Sequence, residues 1–275
     1  MTLRFLSTGS FHISNGDLCG LHNSTVSRVV WRVIKAIARL RPQYITMPAG
    51  EAEMSEVACS FYNIAKFPGV IGAIDGTHIP IQSPGGEDAE VFRNRKSVFS
   101  YNVQAVVDAK LKFMDIVARW PGSAHDNTIF NNSAIKGRLI AKEFSDYHLL
   151  GDKGYANCEY LLTPLRLPTT PAETLYNESH IRTRNTVERA FGVWKRRFPA
   201  LSLKLRIKKD RVQDTIVAAA VLHNLCILHK EVEPPENGPN PEEHPDDEVL
   251  GGPQLGGGGR GEKRNRLINC FFANL

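Results

Sequence analysis

The chain has 275 residues, 42% hydrophobic and 23% charged, enough for one large domain or for a core domain with a smaller appendage. Its longest purely apolar run, Ile216 to Leu222, is too short to span a bilayer, so no membrane partner is expected. The net charge of +5 conceals a division: Glu231 to Glu248 carries eight acids and no Lys or Arg, leaving +13 on the rest.

That basic remainder is concentrated. Between Arg182 and Arg211 eleven basic residues face two acids, Glu188 and Asp210. A surface of that sign attracts phosphate backbones through counterion release, which makes nucleic acid the first partner to consider; a solvated helical face is the plain alternative. Five cysteines, Cys19, Cys59, Cys158, Cys226 and Cys270, are scattered and never form a C-x-x-C pair. They argue against a disulfide framework and a structural zinc site, and for a reducing compartment. The opening "MTLRFLSTGSFHIS" lacks the basic segment and apolar core of a secretory signal.

In chain order, residues 11 to 42 read as a short helical piece, a turn, and a long helix opened by Asn23 or Ser24 as cap. Val26, Val29, Val30, Val33, Ile34 and Ile37 share one face, Arg28, Arg32, Lys35 and Arg39 lie on or near the other, and Pro42 ends it. This is a helix-turn-helix pattern, equally compatible with a helical hairpin packed on the main domain. A second helix is predicted over 51–66. In "FPGVIGAIDGTHIPIQSP", Phe67 to Pro84, a period-2 strand places Ile71, Ala73 and Asp75 on one face and Val70, Gly72 and Ile74 on the other, with Asp75 near the strand end. Tyr101–Asp108 and Lys112–Trp120 predict an antiparallel hairpin. A helix follows over "HDNTIFNNSAIKGRLIA", then a short strand in "YHLLGDKGYAN", a helical pattern from Pro171 to Phe198 broken near His180, and an apolar final helix from Val212 to His229. Residues 1–66 thus form a helical N-terminal region, 67–230 an α/β core with a mixed sheet, and 231–275 an acidic, Gly-rich tail expected to be largely disordered.

Asp75 raises a chemical question, because a carboxylate buried in a β-branched run costs several kcal/mol unless something compensates it. Asp-Gly commonly starts a turn, the plain reading. Three further acids sit similarly. Asp152 follows the short strand in "LLGDKGY"; Asp126 in "WPGSAHDNTIF" lies at the hairpin exit, where it is also a candidate helix cap; Glu188 in "RNTVERAFGVWKRRF" is a lone acid among bases, with an i,i+4 pair to Arg184 as its structural alternative. Strand-end aspartates and a helical glutamate converging at one sheet end would repel at neutral pH unless divalent cations neutralised them, and hard oxygen donors favour Mg²⁺ or Mn²⁺ over zinc.

"VIGAIDGTHIPI", "NVQAVVD", "WPGSAHDNTIF", "LLGDKGY", "LLTPL" and "NTVERAFGVWKRRF", in that order, resemble the DDE domain of PIF/Harbinger transposases and the nucleases derived from them. The resemblance runs from about Ser7 to near Lys230. It implies an RNase H-like fold and a divalent-metal DNA nuclease in which Asp75, Asp152 and Glu188 are the catalytic triad and Asp126 a further metal ligand. It also implies a Myb/SANT-like DNA-binding partner, a nuclear location with possible cytoplasmic presence, and possible homo-oligomers. Members usually carry a longer N-terminal helical region. Under this reading Lys153, Arg189, Lys195, Arg196 and Arg197 are candidates for backbone phosphate contacts, and His78 and His125 lie beside the acids, where a structural hydrogen-bonding role is the commoner one. The reading from a different class is a DNA- or partner-binding protein that keeps the fold without turnover.

Overall fold

A computed structural model describes residues 1–10, 16–17, 20–235 and 261–275. The first helices whose full extent is described are α1 (Thr2–Thr8), α2 (Asn23–Ala38), α3 (Arg41–Tyr44) and α4 (Gly50–Ala65). Strand β1 (Val70–Pro80) leads to the hairpin β2 (Ser100–Val107) and β3 (Phe113–Pro121), followed by helices α5 (Asp126–Asn131) and α6 (Ala134–Ile140). Short strands β4 (His148–Leu150) and β5 (Leu161–Leu162) precede the long helices α7 (Pro171–Arg197) and α8 (Lys209–Leu228), and α9 (Glu262–Cys270) lies near the C-terminus.

The strands form one mixed sheet in the order β3-β2-β1-β4-β5. The β1–β2 and β2–β3 pairs are antiparallel; β4 runs parallel to β1 and β5 parallel to β4. Helices cover both faces. On one, Ala73, Val103, Ala105 and Val107 meet Val187, Phe191 and Trp194 of α7 and Ile216 of α8. On the other, Ile71, Ile74, Val106 and Leu149 meet Phe130, Ile135 and Leu139 from α5 and α6. The sequence expectation that Ile71 and Ala73 share a face fails because the β1–β4 register shifts between Val70 and Gly72, and such an irregularity resets the alternation of side chains.

The expected hairpin is present, closed by Asp108, whose Oδ1 accepts from the backbone N–H groups of Lys110 and Lys112. The helix expected after it is two helices, with Ser133 capping the second. The expected break at His180 is absent. Helix α7 runs unbroken for 27 residues from a Thr170–Glu173 capping box, with Pro171 in the first turn, where its missing N–H costs nothing. His180 is fully buried inside it and its Nε2 hydrogen-bonds to the Leu162 carbonyl at 3.0 Å.

Helix α2 lies on α8 through Val26, Val30 and Ile34, and Val33, expected on that face, is exposed. The cap is His22, one residue earlier than expected, and the short helical piece of the expected helix-turn-helix falls partly on residues outside those described. Phe5, Leu6, Val26, Val30 and Ile34 belong to the same continuous core as the α7–α8 layer. Helix α8 is long and apolar enough by composition to cross a membrane, but 56% of its most apolar window is buried here, as in a core helix.

The tail departs from expectation at its end. Residues 236–260 lie outside the described residues, but Glu262–Cys270 is helical and Phe272, 2% exposed, packs on Phe67 and Tyr176 at ring-centroid distances of 5.4 and 5.5 Å. Lys263 and Arg264 donate to the carbonyls of Asp146 and Thr163, which ties α9 to the sheet end of the domain. A Gly-rich neighbourhood masked this short amphipathic segment, and an aromatic anchor of this kind contributes several kcal/mol when buried. Phe272→Ala is expected to destabilise the protein by roughly 3 kcal/mol or more in chemical denaturation; a loss under about 1 kcal/mol would show that the segment is only laid on the surface.

Candidate acidic centre

The sheet register brings the aspartates together. Ala73 of β1 stands opposite Leu150 of parallel β4, so Asp75 and Asp152, each two residues further on, leave the paired region side by side. Asp75 is not in a turn and not at the strand end: β1 continues to Pro80, paired with β2 along that stretch, and Asp75 sits opposite Ala105. Beyond β4 the next backbone partner on that side is Leu205, whose N–H donates to the Pro80 carbonyl at 2.9 Å, so no described strand pairs with β1 beside Asp75. Asp152 enters a loop in which its Oδ1 accepts from the Gly154 N–H at 2.9 Å.

Asp126 reaches the same place from the other side of the sheet. It is the first residue of α5, His125 occupying the cap position. Its carboxylate lies over Gly76, where a Cβ would stand 2.8 Å from Asp126 Cγ, so only glycine admits this approach. Asn102 of β2 fixes it, donating through Nδ2 to Asp126 Oδ1 at 2.8 Å and to the Ala124 carbonyl at 2.9 Å.

Glu188 comes from α7, and Arg184, one turn earlier, connects it to the strand. Arg184 Nη2 donates to Glu188 Oε1 at 2.5 Å and Nη1 to Asp75 Oδ2 at 2.9 Å. The i,i+4 pair foreseen from sequence exists, but it is half of a bridge whose other half joins residues 109 apart in the chain. The Arg184 side chain is 10% exposed and Glu188 49%.

The electrostatics are those of crowded acids. Burial pushes the Asp75 carboxyl from its ordinary 3.8 up to about 8; Arg184 opposes this, and the Asp152 and Asp126 charges add to it. Burial also raises Asp126, with the Asn102 hydrogen bond opposing and Asp152 reinforcing. Tyr155, 4% exposed, is pushed well above its usual range by burial and by the charges of Asp126, Asp75 and Asp152. Its hydroxyl, and both polar ends of the fully buried Gln104 amide, have no hydrogen-bond partner among the described residues. Gln104 stands opposite Gly76 on the face that Asp126 covers.

These features fit a hard divalent cation: oxygen donors from separate elements, and buried polar groups left unmatched beside them. As the side chains stand, the described residues include no group of three His, Cys, Asp or Glu side chains placed to hold one ion. The four predicted acids therefore share one end of the sheet without forming a ready-made ligand set, and the Arg184 guanidinium stands between two of them.

The other candidates separate clearly. Lys153 is exposed. Arg189 pairs with Glu233 at 3.0 Å, and Arg197 donates to the Val232 carbonyl at 3.3 Å, so the residues after α8 lie against the basic side of α7. Arg196 is half-buried. Lys195, expected at a phosphate, is instead buried and donates to the His78 carbonyl at 3.0 Å. His78 Nδ1 bonds Ser100 Oγ at 3.0 Å, and the His125 ring accepts from Arg95 at 2.9 Å, both structural roles. Sequence reasoning passed over Asn102, Gln104 and Tyr155. The available signal was two amides inside a wholly buried strand, the same anomaly that marked Asp75.

Residues 74–224 match the family model for DDE superfamily endonucleases. The chain belongs to that family. It is 34% identical over 230 residues to the human protein named "Putative nuclease HARBI1", an overlap covering 82% of this chain and 66% of the relative, and 28% identical over 244 residues to "Protein ALP1-like" of Arabidopsis thaliana, covering 82% and 59%. The resemblance to PIF/Harbinger-derived nucleases therefore holds. The overlap amounts to just under two thirds of the relatives' own length. No solved structure matches the chain.

The Asp75 shift has a measurable sign. The native carboxyl keeps its proton to about pH 8 and the unfolded one releases it near 3.8, so across that window the native state binds more protons and Asp75's contribution to stability falls as pH rises. In EDTA, the thermal midpoint of wild type is expected to drop relative to Asp75→Asn between about pH 5 and 8. Parallel pH profiles for the two proteins would contradict the shift.

Proposed function

We propose that the protein is a divalent-metal-dependent DNA endonuclease of Harbinger transposase descent with an RNase H-like core, using Asp75, Asp152 and Glu188 as the catalytic acids and Asp126 as an additional ligand. One observation carries the reading: aspartates from β1, the loop after β4 and the start of α5 gather at one end of the sheet, the charges of Asp152 and Asp126 raising the proton affinity of Asp75, and a fourth acid is tied to Asp75 through Arg184. Acids gathered in a partly buried place cost several kcal/mol unless a proton, a counter-charge or a ligand offsets them, and a bound cation would offset all of them together.

Asp75 and Asp152 would hold Mg²⁺ or Mn²⁺, with Asp126 and Glu188 flanking. Bound divalent cations neutralise a phosphodiester and activate an attacking water or hydroxyl. The chain's own residues do the positioning. Gly76 N–H fixes Asp75 Oδ1 at 2.8 Å, Gly154 N–H fixes Asp152, and Asn102 fixes Asp126. Exposed Lys153, one residue from Asp152, would contact a phosphate backbone without reading sequence, and Arg189, next to Glu188, would do so on exchanging Glu233 for a phosphate. The exposed Arg28, Arg32 and Lys35 of α2, with Arg39 just after it, are a second group of basic side chains and support a role in DNA binding for the helix-turn-helix-like region. DNA is the proposed substrate, in the nucleus, with a Myb/SANT-like partner and a homo-oligomer as further parts of the proposal.

Nicking of supercoiled DNA in Mg²⁺ or Mn²⁺ tests this. Asp75→Ala, Asp152→Ala and Glu188→Ala are each expected to abolish cleavage, while Asn102→Ala, which removes a support and not a ligand, should cost roughly 10- to 100-fold. DNA binding by wild type with no metal-dependent cleavage would favour the reading as a binding protein without turnover.

A further inference from the structure

We infer that Arg184 is the resident counter-cation of the acidic centre: its guanidinium joins Asp75 to Glu188 when no metal is bound, and loading a divalent cation requires it to release Glu188. The inference rests on the metal-centre reading above and assigns within it a positioning residue that none of the four acids can replace.

The geometry is specific. A guanidinium commonly grips one carboxylate with both arms, but here each arm takes a different one, Nη1 on Asp75 Oδ2 and Nη2 on Glu188 Oε1. The fork therefore spans the gap between strand and helix, where a cation held by these two carboxylates would sit. The Nη2 arm and a metal ion cannot both take Glu188 Oε1. The strand side of the bridge is the firmer one. Asp75 is 16% exposed on its side chain and its other oxygen is held by the Gly76 N–H, whereas Glu188 is half in water, where an i,i+4 pair is weak. Arg184 also feels Asp152, so three of the four acids act on this one guanidinium. Release of Glu188 lets that side chain turn to an incoming ion and leaves Arg184 on Asp75.

This predicts opposite effects with and without metal, which an ordinary structural salt bridge does not. Mn²⁺ binding by calorimetry, and thermal midpoints in EDTA and in saturating Mn²⁺, would be measured for wild type, Arg184→Gln and Arg184→Lys. Arg184→Gln is expected to melt several degrees lower in EDTA, to gain more from Mn²⁺ than wild type, and to bind Mn²⁺ at least tenfold more tightly. Arg184→Lys, whose single ammonium cannot fork, should fall between. If Arg184→Gln does not fold by far-UV circular dichroism, Arg184→Lys carries the test and must still bind more tightly than wild type. Folded variants that bind Mn²⁺ equally or more weakly overturn the inference alone. Wild type that binds no Mn²⁺, or binds it undiminished in Asp75→Asn, overturns the metal centre and this inference with it.

Discussion

A carboxylate in the middle of a buried strand has to be offset, and most of the site follows from how this fold offsets Asp75. One oxygen takes the adjacent Gly76 N–H and the other takes Arg184 from the long helix crossing the sheet. That is not enough to hold the group at an ordinary acidity, because burial and two neighbouring aspartates push it up to about 8. The result is a site short of positive charge, the condition under which a divalent cation binds with the most to gain.

The sheet topology creates the condition. A parallel β4 only three residues long supports β1 as far as Ala73 and then stops, which leaves Asp75 and Asp152 adjacent just past the end of that pairing. The antiparallel hairpin on the other side continues alongside β1 and contributes Asn102, and glycine at 76 lets α5 press Asp126 against the strand. Packing secures the third component. Trp194, fully buried against Phe113 at 5.0 Å between ring centroids, anchors α7 two turns beyond Glu188 and so fixes the height at which Arg184 meets the sheet.

Much of this was legible in the sequence, and the failures share a cause. Alternation and 3.6-residue periodicity located the hairpin and the long helices, because those patterns are local. What depended on distant partners was misread. Asp75 appeared to sit near a strand end because its run stops being apolar there, whereas pairing with β2 carries the strand to Pro80. The break expected near His180 falls in a helix that starts from a capping box and whose His180 ring bonds the distant Leu162 carbonyl. Lys195 was read as a surface cation, though the His78 carbonyl receives it in the interior. Arg184 was visible only as a neighbour of Glu188, since no spacing rule reaches 109 residues to Asp75.

The proposed cation site at this end of the sheet is held ready by carboxylates and, without metal, by Arg184. Anomalous diffraction at the manganese edge, from crystals grown with Mn²⁺ and a short DNA duplex, addresses it directly. A manganese peak within ligating distance of both Asp75 and Asp152, with Glu188 no longer bonded to Arg184, is the expected result. Saturating Mn²⁺ with no peak at that sheet end, and Arg184 still bridging Asp75 to Glu188, would contradict it.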